Sequence, residues 1–325
     1  STISLVATAG LMFALALAGG CGRGHDWATG VVDANLEADE AIAQGDLEAA
    51  RAALGTLLEP PPTGVSESDH RIVAADAARL SIDDPGVRWG EGLFETMRAD
   101  GGRVALCDRH LDRLEGSARA LGWGPMPERR RMEAAVAAVA EALAPGSGRV
   151  RLTATARPTL VVEGTPEPPL GREPVAVQAV AVRGAWRPDA TLAEHKTLSY
   201  AAFRIAQRRA EGAGADHALL LDARGALGEA ATASALCAVG GRLVCAPARG
   251  LLPGIARAAV LATLDVEERP LDEAAWRGAD EIILTNAVRG AMAVVVVDGA
   301  PVGEGAVGPL ARSVHEVLRR SLRGR

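Results

Sequence analysis

From residue 71 to the C-terminus, segments with the two-residue period of β-strands alternate along the chain with segments of helical period. Alternate residues between Val150 and Ala154 are apolar, which is typical of a strand with one buried face. Between Met132 and Leu143 the apolar residues recur at the spacing of a helix face. Chains in which the two patterns alternate fold as layers of helices and strands. The pattern therefore predicts a mixed α/β fold.

The predicted elements form two groups, separated by a segment rich in Pro, Gly and Glu between Pro166 and Pro174. We interpret this segment as a connector and expect two α/β lobes, residues 71–170 and 171–325, with a cleft between them. Helices are predicted over residues 132–143, 199–211 and 254–264 and at the C-terminus, and strands over residues 150–154, 175–182, 217–221, 235–239, 242–246, 281–285 and 293–298.

The first 70 residues have a different character. Residues 2–20 carry no charge and precede Cys21, so a hydrophobic leader is predicted over residues 1–21, either a lipoprotein-type signal or a marginal membrane-spanning helix. Residues 22–59 predict a helical appendage that resembles a single tetratricopeptide hairpin. Residues 60–70 begin with three prolines and predict a linker.

The composition excludes several classes of protein. With 48% hydrophobic and 23% charged residues, the chain is typical of a globular protein. Its formal net charge of −6 argues against a nucleic-acid groove, because phosphate contacts require clustered cations. The cysteines, at positions 21, 107, 237 and 245, form no CxxC pair. Neither a disulfide framework nor a metal site is therefore predicted.

Lys196 is the single lysine of the chain, among 35 basic residues that are otherwise all arginine. A lysine amine can lose its proton and condense with a carbonyl group, whereas an arginine cannot. The lone lysine is therefore a candidate for such chemistry, although chance is an equally good explanation on composition alone.

Several short motifs follow one another in order from residue 90 onward. They are GEGLFETMR at 90–98, HLDRL at 110–114, HKTLSY at 195–200, GALGEAATAS at 225–234, LPGIAR at 252–257 and LTNAVRG at 284–290. Each motif alone has an ordinary structural explanation, but the ordered set is far more specific. From about residue 71 to residue 325, the chain resembles the class IV pyridoxal-phosphate enzymes. These include branched-chain aminotransferases, D-amino-acid aminotransferases and aminodeoxychorismate lyases.

The resemblance implies a small α/β lobe, a larger pseudo-barrel lobe, pyridoxal 5'-phosphate between them, a small amino-acid-type substrate and a homodimer. Lys196 matches the lysine that binds the cofactor and moves the proton, and Glu229 matches the acid at the pyridine nitrogen. The remaining positions match cofactor-binding residues: Arg113, Ile255, Ala256, Asn286 and Ala287 at the phosphate, and Tyr200 near the ring oxygen.

The LTNAVRG motif is more similar to aminodeoxychorismate lyases, which eliminate pyruvate and leave 4-aminobenzoate for folate synthesis, than to aminotransferases. The lyase is therefore the favoured hypothesis, and a branched-chain or D-amino-acid aminotransferase is the alternative. A second alternative is an envelope-anchored interaction protein with an inactive enzyme-like domain. The catalytic part is expected in the cytoplasm, or at a membrane if residues 1–21 anchor it.

Overall fold

The computed structural model describes residues 80–323, apart from residues 125, 158 and 189, together with three short strands, β1 (Ile3–Leu5), β2 (Leu15–Leu17) and β3 (His70–Ile72). The chain divides into two compact units, Ser1–Arg79 and Leu80–Arg325. In the first unit β3 pairs in parallel with β1 and antiparallel with β2. Apart from these strands, the predicted leader, appendage and linker lie outside the described residues.

Across the described residues, no helix has both the length and the apolar composition needed to cross a membrane.

The second unit begins with an antiparallel sheet in the spatial order β7, β6, β4, β5. Its core combines apolar side chains from these strands with Leu111 and Leu114 of one helix and Met132 and Val136 of the next. The elements of this first lobe are helices α1 (Pro85–Arg88), α2 (Cys107–Ala120) and α3 (Arg129–Ala142), and strands β4 (Gly92–Asp100), β5 (Arg103–Val104), β6 (Ser147–Thr155) and β7 (Leu160–Pro166).

The remaining strands form a second, larger sheet that closes on itself. Neighbours pair in the order β10, β9, β8, β15, β14 and β11, and β11 pairs back with β10, so six strands form a closed barrel among the described residues. The barrel strands are β8 (Val175–Arg183), β9 (His217–Leu221), β10 (Leu227–Ala230), β11 (Ala233–Val239), β14 (Glu281–Asn286) and β15 (Gly290–Val297). Strands β12 (Arg242–Cys245), β13 (Val266–Glu268) and β16 (Ala300–Pro301) extend this sheet.

Apolar side chains fill the barrel and also lie between its outer surface and the helices. Val177, Leu219, Leu284 and Met292 belong to one buried cluster that packs between the barrel strands. Helices cover the outside: α4 (Ala201–Gly212) packs on β9, α5 (Ile255–Leu261) packs on β14, and α7 (Pro309–Ser321) packs on β14 and β15. The short helix α6 (Glu273–Arg277) contributes the buried Trp276 to the barrel cluster. The second lobe is thus a packed barrel, which provides a rigid support.

The mixed α/β prediction is confirmed, and the differences have local causes. The helix predicted over residues 199–211 begins at Ala201, because the preceding segment is hydrogen-bonded to β4. The helix predicted over residues 254–264 ends at Leu261, where the Val260 carbonyl accepts bonds from the next turn. Strand β4 was not predicted as an element, because its charged residues obscure the two-residue period.

Candidate active site

The segment that carries Lys196 is attached to strand β4 through main-chain hydrogen bonds. The Phe94 N–H donates to the Lys196 carbonyl at 2.9 Å, and the Leu198 N–H donates to the Gly92 carbonyl at 2.8 Å. A hydrogen bond between His195 Nδ1 and Ser117 Oγ, 3.0 Å long, joins the same segment to α2. Two elements of the first lobe therefore fix the lysine, although the lysine itself lies in the sequence of the second lobe.

The Lys196 amine lies among aromatic rings and arginines. Its Nζ atom is 4.3 Å from the centroid of the Phe94 ring and 5.7 Å from that of Tyr200. Burial and the positive charges of Arg113 and Arg151 lower the pKa of Lys196 to about 8, against the opposing effect of nearby carboxylates. A substantial fraction of the amine is therefore neutral, and thus nucleophilic, in mildly alkaline solution.

Glu229 lies on β10, the strand that closes the barrel, and its side chain is 7% exposed. Burial raises the pKa of Glu229 to about 8, while the charge of Lys196 acts in the opposite direction. Within the described residues no hydrogen bond reaches its carboxyl group, so this group is available to a ligand. Gly228 allows the close packing of β10, because a Cβ there would lie 2.4 Å from the Trp186 ring.

Tyr200 lies between the lysine and the barrel. Its hydroxyl donates a hydrogen bond to the Ala231 carbonyl, just after Glu229. Its ring meets Phe94 edge-on at 5.3 Å between centroids and stacks on Phe203 at 4.7 Å. Burial and the charge of Glu229 raise the pKa of Tyr200, so the phenol stays protonated. The ring thus forms one wall of the site beside Lys196.

Arg113 projects from α2 and is fixed by Glu95 of β4. Arg113 Nε and Nη2 donate to the two Glu95 carboxylate oxygens at 2.8 and 2.6 Å, and the third nitrogen, Nη1, donates to the Pro253 carbonyl at 2.8 Å. Glu95 is 1% exposed and also accepts from His110 Nδ1 at 2.7 Å. Burial alone would raise the pKa of Glu95, but Arg113 and His110 lower it to about 2.

Pro253 leads into α5, so the same contact brings Arg113 beside Ile255 and Ala256. The first helical hydrogen bond is donated by Ala258 to Gly254, which leaves the N–H groups of Ile255 and Ala256 without acceptors among the described residues. Gly254 approaches Ser234 so closely that a Cβ there would lie 2.4 Å from the Ser234 Oγ atom.

Asn286 and Ala287 lie in the tight turn between β14 and β15. Asn286 Oδ1 accepts from the Val288 and Arg289 N–H groups at 3.0 and 2.8 Å, and its amide nitrogen lies 3.4 Å from the Thr232 carbonyl that it donates to. The Asn286 side chain therefore stabilises its own turn and the Glu229 hairpin. Gly290, with a φ of +70°, completes the turn in the left-handed region that glycine tolerates.

These contacts place the predicted residues around one cleft. The Lys196 segment is bonded to β4, β4 holds Arg113 through Glu95, and Arg113 reaches the start of α5. On the other side, Tyr200 and Asn286 both contact the hairpin that carries Glu229.

Sequence reasoning missed three residues of this cleft: Phe94, Glu95 and Arg151. The Arg151 guanidinium lies over the Phe94 ring, with 3.7 Å between its central carbon and the ring centroid. The sequence signal for these residues is a Glu within the apolar GLFETM run. A carboxylate buried in a strand needs a cationic partner, so this Glu indicates a buried ion pair.

Comparison with known proteins shows the family of the chain. The family model described as amino-transferase class IV matches residues 92–297. The chain belongs to the class IV aminotransferase family. The match begins at β4 and ends with β15, so it contains every candidate site residue.

Two relatives and one solved structure illustrate the class IV similarity. The branched-chain-amino-acid aminotransferase-like protein 2 of Arabidopsis thaliana is 26% identical over 304 residues, 82% of this chain and 53% of the relative. A Methanocaldococcus jannaschii protein, provisionally named a branched-chain-amino-acid aminotransferase, is 28% identical over 273 residues, 77% of this chain and 93% of its own length. The chain thus spans about half of the first relative and nearly all of the second.

The solved structure is the pyridoxal-phosphate-bound form of a hypothetical aminotransferase from Mycobacterium tuberculosis. It has a TM-score of 0.69 and 25% sequence identity, and the match covers 78% of this chain and 96% of that one. The class IV fold with its barrel lobe, predicted from the sequence, is confirmed. Pyridoxal phosphate is the cofactor of class IV aminotransferases, the family to which the chain belongs.

The residues of the cleft fit this cofactor. An amine of lowered pKa can condense with an aldehyde, and a buried carboxyl group without a hydrogen-bond partner can pair with a pyridine nitrogen. The guanidinium of Arg113 and the acceptor-free N–H groups of Ile255 and Ala256 are donors for a phosphate.

The pKa of Lys196 can be measured by competitive labelling with acetic anhydride. Because Lys196 is the single lysine, its acetylation is identified from one peptide. We expect half-maximal reactivity near pH 8 in the folded protein and near the ordinary lysine value of 10.5 in urea. Half-maximal reactivity above pH 10 in the folded protein would contradict the lowered pKa.

Replacing Glu95 with Gln should destabilise the fold at neutral pH by about 3 kcal/mol, because Arg113 loses its buried partner. The folded-state pKa of about 2 lies below the ordinary 4.5, so this contribution is complete above pH 4.5 and is lost as the pH falls toward 2. Urea unfolding of both proteins between pH 2 and pH 7 measures the difference, with the exposed Glu304→Gln as control. A pH-independent difference would refute the assignment.

Proposed function

We propose that the protein is a pyridoxal-phosphate-dependent aminotransferase of amino acids, in which Lys196 binds the cofactor and transfers the proton. The observation that carries the proposal is the presence in one site of Lys196, with a pKa near 8, and of Glu229, whose carboxyl group has no hydrogen-bond partner in the described residues. The two groups lie within electrostatic reach of each other in one cleft.

The phosphate would be bound at the junction of the two lobes. Arg113 supplies a guanidinium that is already oriented by Glu95 and the Pro253 carbonyl. Ile255 and Ala256 supply main-chain N–H groups beside it, and Ala287 supplies another from the turn after β14. Main-chain donors held by secondary structure need no reorganisation when the anion arrives.

Glu229 would face the pyridine nitrogen and keep it protonated. A carboxyl group with a raised pKa in a buried site forms a strong charge-assisted hydrogen bond once a cationic ring nitrogen replaces the missing partner. Tyr200 would pack beside the ring oxygen, while its own hydroxyl stays bonded to the Ala231 carbonyl. The bound cofactor supplies an electron sink for the negative charge left at the α-carbon.

Lys196 would act as the general base and acid of the reaction. The neutral amine accepts the α-proton and returns a proton to a different carbon during transamination. Phe94 and Tyr200 exclude water from one side of the amine. The hydrogen bonds from β4 hold the lysine backbone, so the amine moves only by rotation of its own side chain.

Arg151 would bind a substrate carboxylate. Its charge is only partly compensated, because the nearest carboxylate oxygen, of Glu163, is 3.5 Å away from Nε. Burial lowers the pKa of Arg151 and raises that of Glu163, although about one third of each side chain is still exposed at the mouth of the site. A carboxylate that enters the cleft beside Phe94 would complete the pairing of the guanidinium.

The choice of aminotransferase over lyase is supported by the named relatives and by the position of Asn286. The relatives reported above carry aminotransferase names. The lyase hypothesis depends on the LTNAVRG motif. The Asn286 side chain of this motif is hydrogen-bonded within its own turn, so the motif is explained by the turn without a contact to the substrate.

Elimination of pyruvate from 4-amino-4-deoxychorismate is the second candidate. The observation that favours it is the NAV turn, whose main-chain geometry is set by Asn286 at the edge of the cleft. The same lysine and acid would serve this reaction, because both reactions begin with removal of the α-proton. The homodimer expected from the resemblance stays a prediction.

The proposed function is tested by mixing the purified protein with pyridoxal phosphate, an amino acid and 2-oxoglutarate, and following oxo-acid formation. We expect transamination and a visible absorbance band from the bound cofactor. Borohydride should attach that cofactor covalently to the Lys196 peptide. Lys196→Arg keeps the positive charge and should lose both the band and the activity, because an arginine cannot condense with the aldehyde. Pyruvate and 4-aminobenzoate from aminodeoxychorismate, without any transamination, would instead establish the lyase.

The role of Arg151 is tested by the variant Arg151→Gln. We expect the KM for the amino acid and for the oxo acid to rise by about tenfold or more, because a hydrogen bond to a charged group is lost. The affinity for pyridoxal phosphate should change much less. Arg149→Gln, two residues earlier on the same strand, is the matched control. Equal KM values for the wild type and Arg151→Gln would rule out this carboxylate site.

A further inference from the structure

Arg98 is a buried arginine at the far end of β4 from the lysine contact, and its side chain is 2% exposed. Its Nε and Nη2 donate to the two Asp100 carboxylate oxygens, each at 2.9 Å. Its Nη1 donates to the Val288 carbonyl at 3.0 Å, and Nη2 also donates to the Pro168 carbonyl at 2.9 Å. One guanidinium thus joins the first lobe, the connector and the turn between β14 and β15.

The contact with Val288 holds one peptide group at both ends. The Val288 carbonyl accepts from Arg98, and the N–H of the same peptide group, that of Arg289, donates to Asn286 Oδ1 at 2.8 Å. The preceding peptide N–H, that of Val288, donates to the same oxygen at 3.0 Å. The orientation of the turn is therefore set from outside by Arg98 and from inside by Asn286.

The remaining donor of this turn is the Ala287 N–H, which has no acceptor among the described residues. The next two peptide groups along the chain are both held by hydrogen bonds, so the direction of the Ala287 N–H bond is determined before any ligand binds. The charge of Arg98 is balanced by Asp100. The guanidinium therefore orients the turn through its hydrogen bond and adds no net charge beside it.

We propose that Arg98 is a positioning residue that aims the Ala287 N–H at the cofactor phosphate. This inference rests on the proposed function, because it takes pyridoxal phosphate as the ligand of the cleft. Strand β4 bonds to the Lys196 segment at one end and carries Arg98 at the other, so a single strand sets the spacing between the amine and the phosphate donor.

The test compares the affinity of the protein for pyridoxal phosphate with its affinity for pyridoxal, which lacks the phosphate. Both are measured by visible absorbance titration of the wild type, Arg98→Lys and Arg149→Lys. Lysine keeps the charge but cannot reproduce the planar set of donors. Arg149 is the control, because it lies on the adjacent strand, is 43% exposed and contacts Glu167 of the same connector.

We expect Arg98→Lys to weaken the binding of pyridoxal phosphate by about tenfold, the effect of one charge-assisted hydrogen bond, and to leave the binding of pyridoxal within about twofold. Arg149→Lys should leave both affinities unchanged. If Arg98→Lys weakens the two ligands equally, the residue only stabilises the fold and the inference is wrong. Unchanged affinity for both ligands would overturn it as well.

A second variant covers the case in which Arg98→Lys does not fold. Asn286→Ala releases the same turn from inside, and it should reproduce the loss that is selective for the phosphate. An equal loss for both ligands in this variant would count against the proposal. A wild-type protein that forms no absorbance band with either ligand would overturn the proposed function itself, and the inference with it.

Discussion

The buried carboxylate of Glu95 is the interaction on which the rest of the site depends. A charge this deeply buried is stable only with close partners, and Glu95 has two, Arg113 and His110. Burial lowers the pKa of His110, so its ring is neutral and donates through Nδ1. Since the strand that carries Glu95 also bonds to the lysine segment, Arg113 and the Lys196 amine share one rigid support.

The barrel provides the other side of the cleft. Glu229 lies on the strand that closes the barrel, and the neighbouring turn with Asn286 comes from an adjoining strand pair. Ser234 pairs with Thr285 across β11 and β14, and its hydroxyl packs against Gly254 at the start of α5. Because these strands belong to one closed sheet with a packed interior, their ends keep fixed positions around the ligand.

The family resemblance carried by the ordered motifs predicted the fold class, which is confirmed, and it named Lys196, Glu229 and Arg113, whose roles stay predictions. Lys196, Glu229 and Arg113 carry chemistry that few other residues can supply, so their types and order are informative. The supporting contacts could not be predicted, because they join distant residues: Arg98 and Val288 are 190 positions apart. A glutamate within an apolar run also resembles the exposed side of a strand until its partners are known.

The opposed pKa shifts of Lys196 and Glu229 have a consequence for ligand binding. The pKa values of both groups lie near 8 when no cofactor is bound, so the number of protons held in the free cleft changes with pH around that value. A ligand that consumes the amine and pairs with the carboxylate fixes that number. Binding therefore exchanges protons with the buffer, and the measured enthalpy of association depends on the ionisation enthalpy of the buffer.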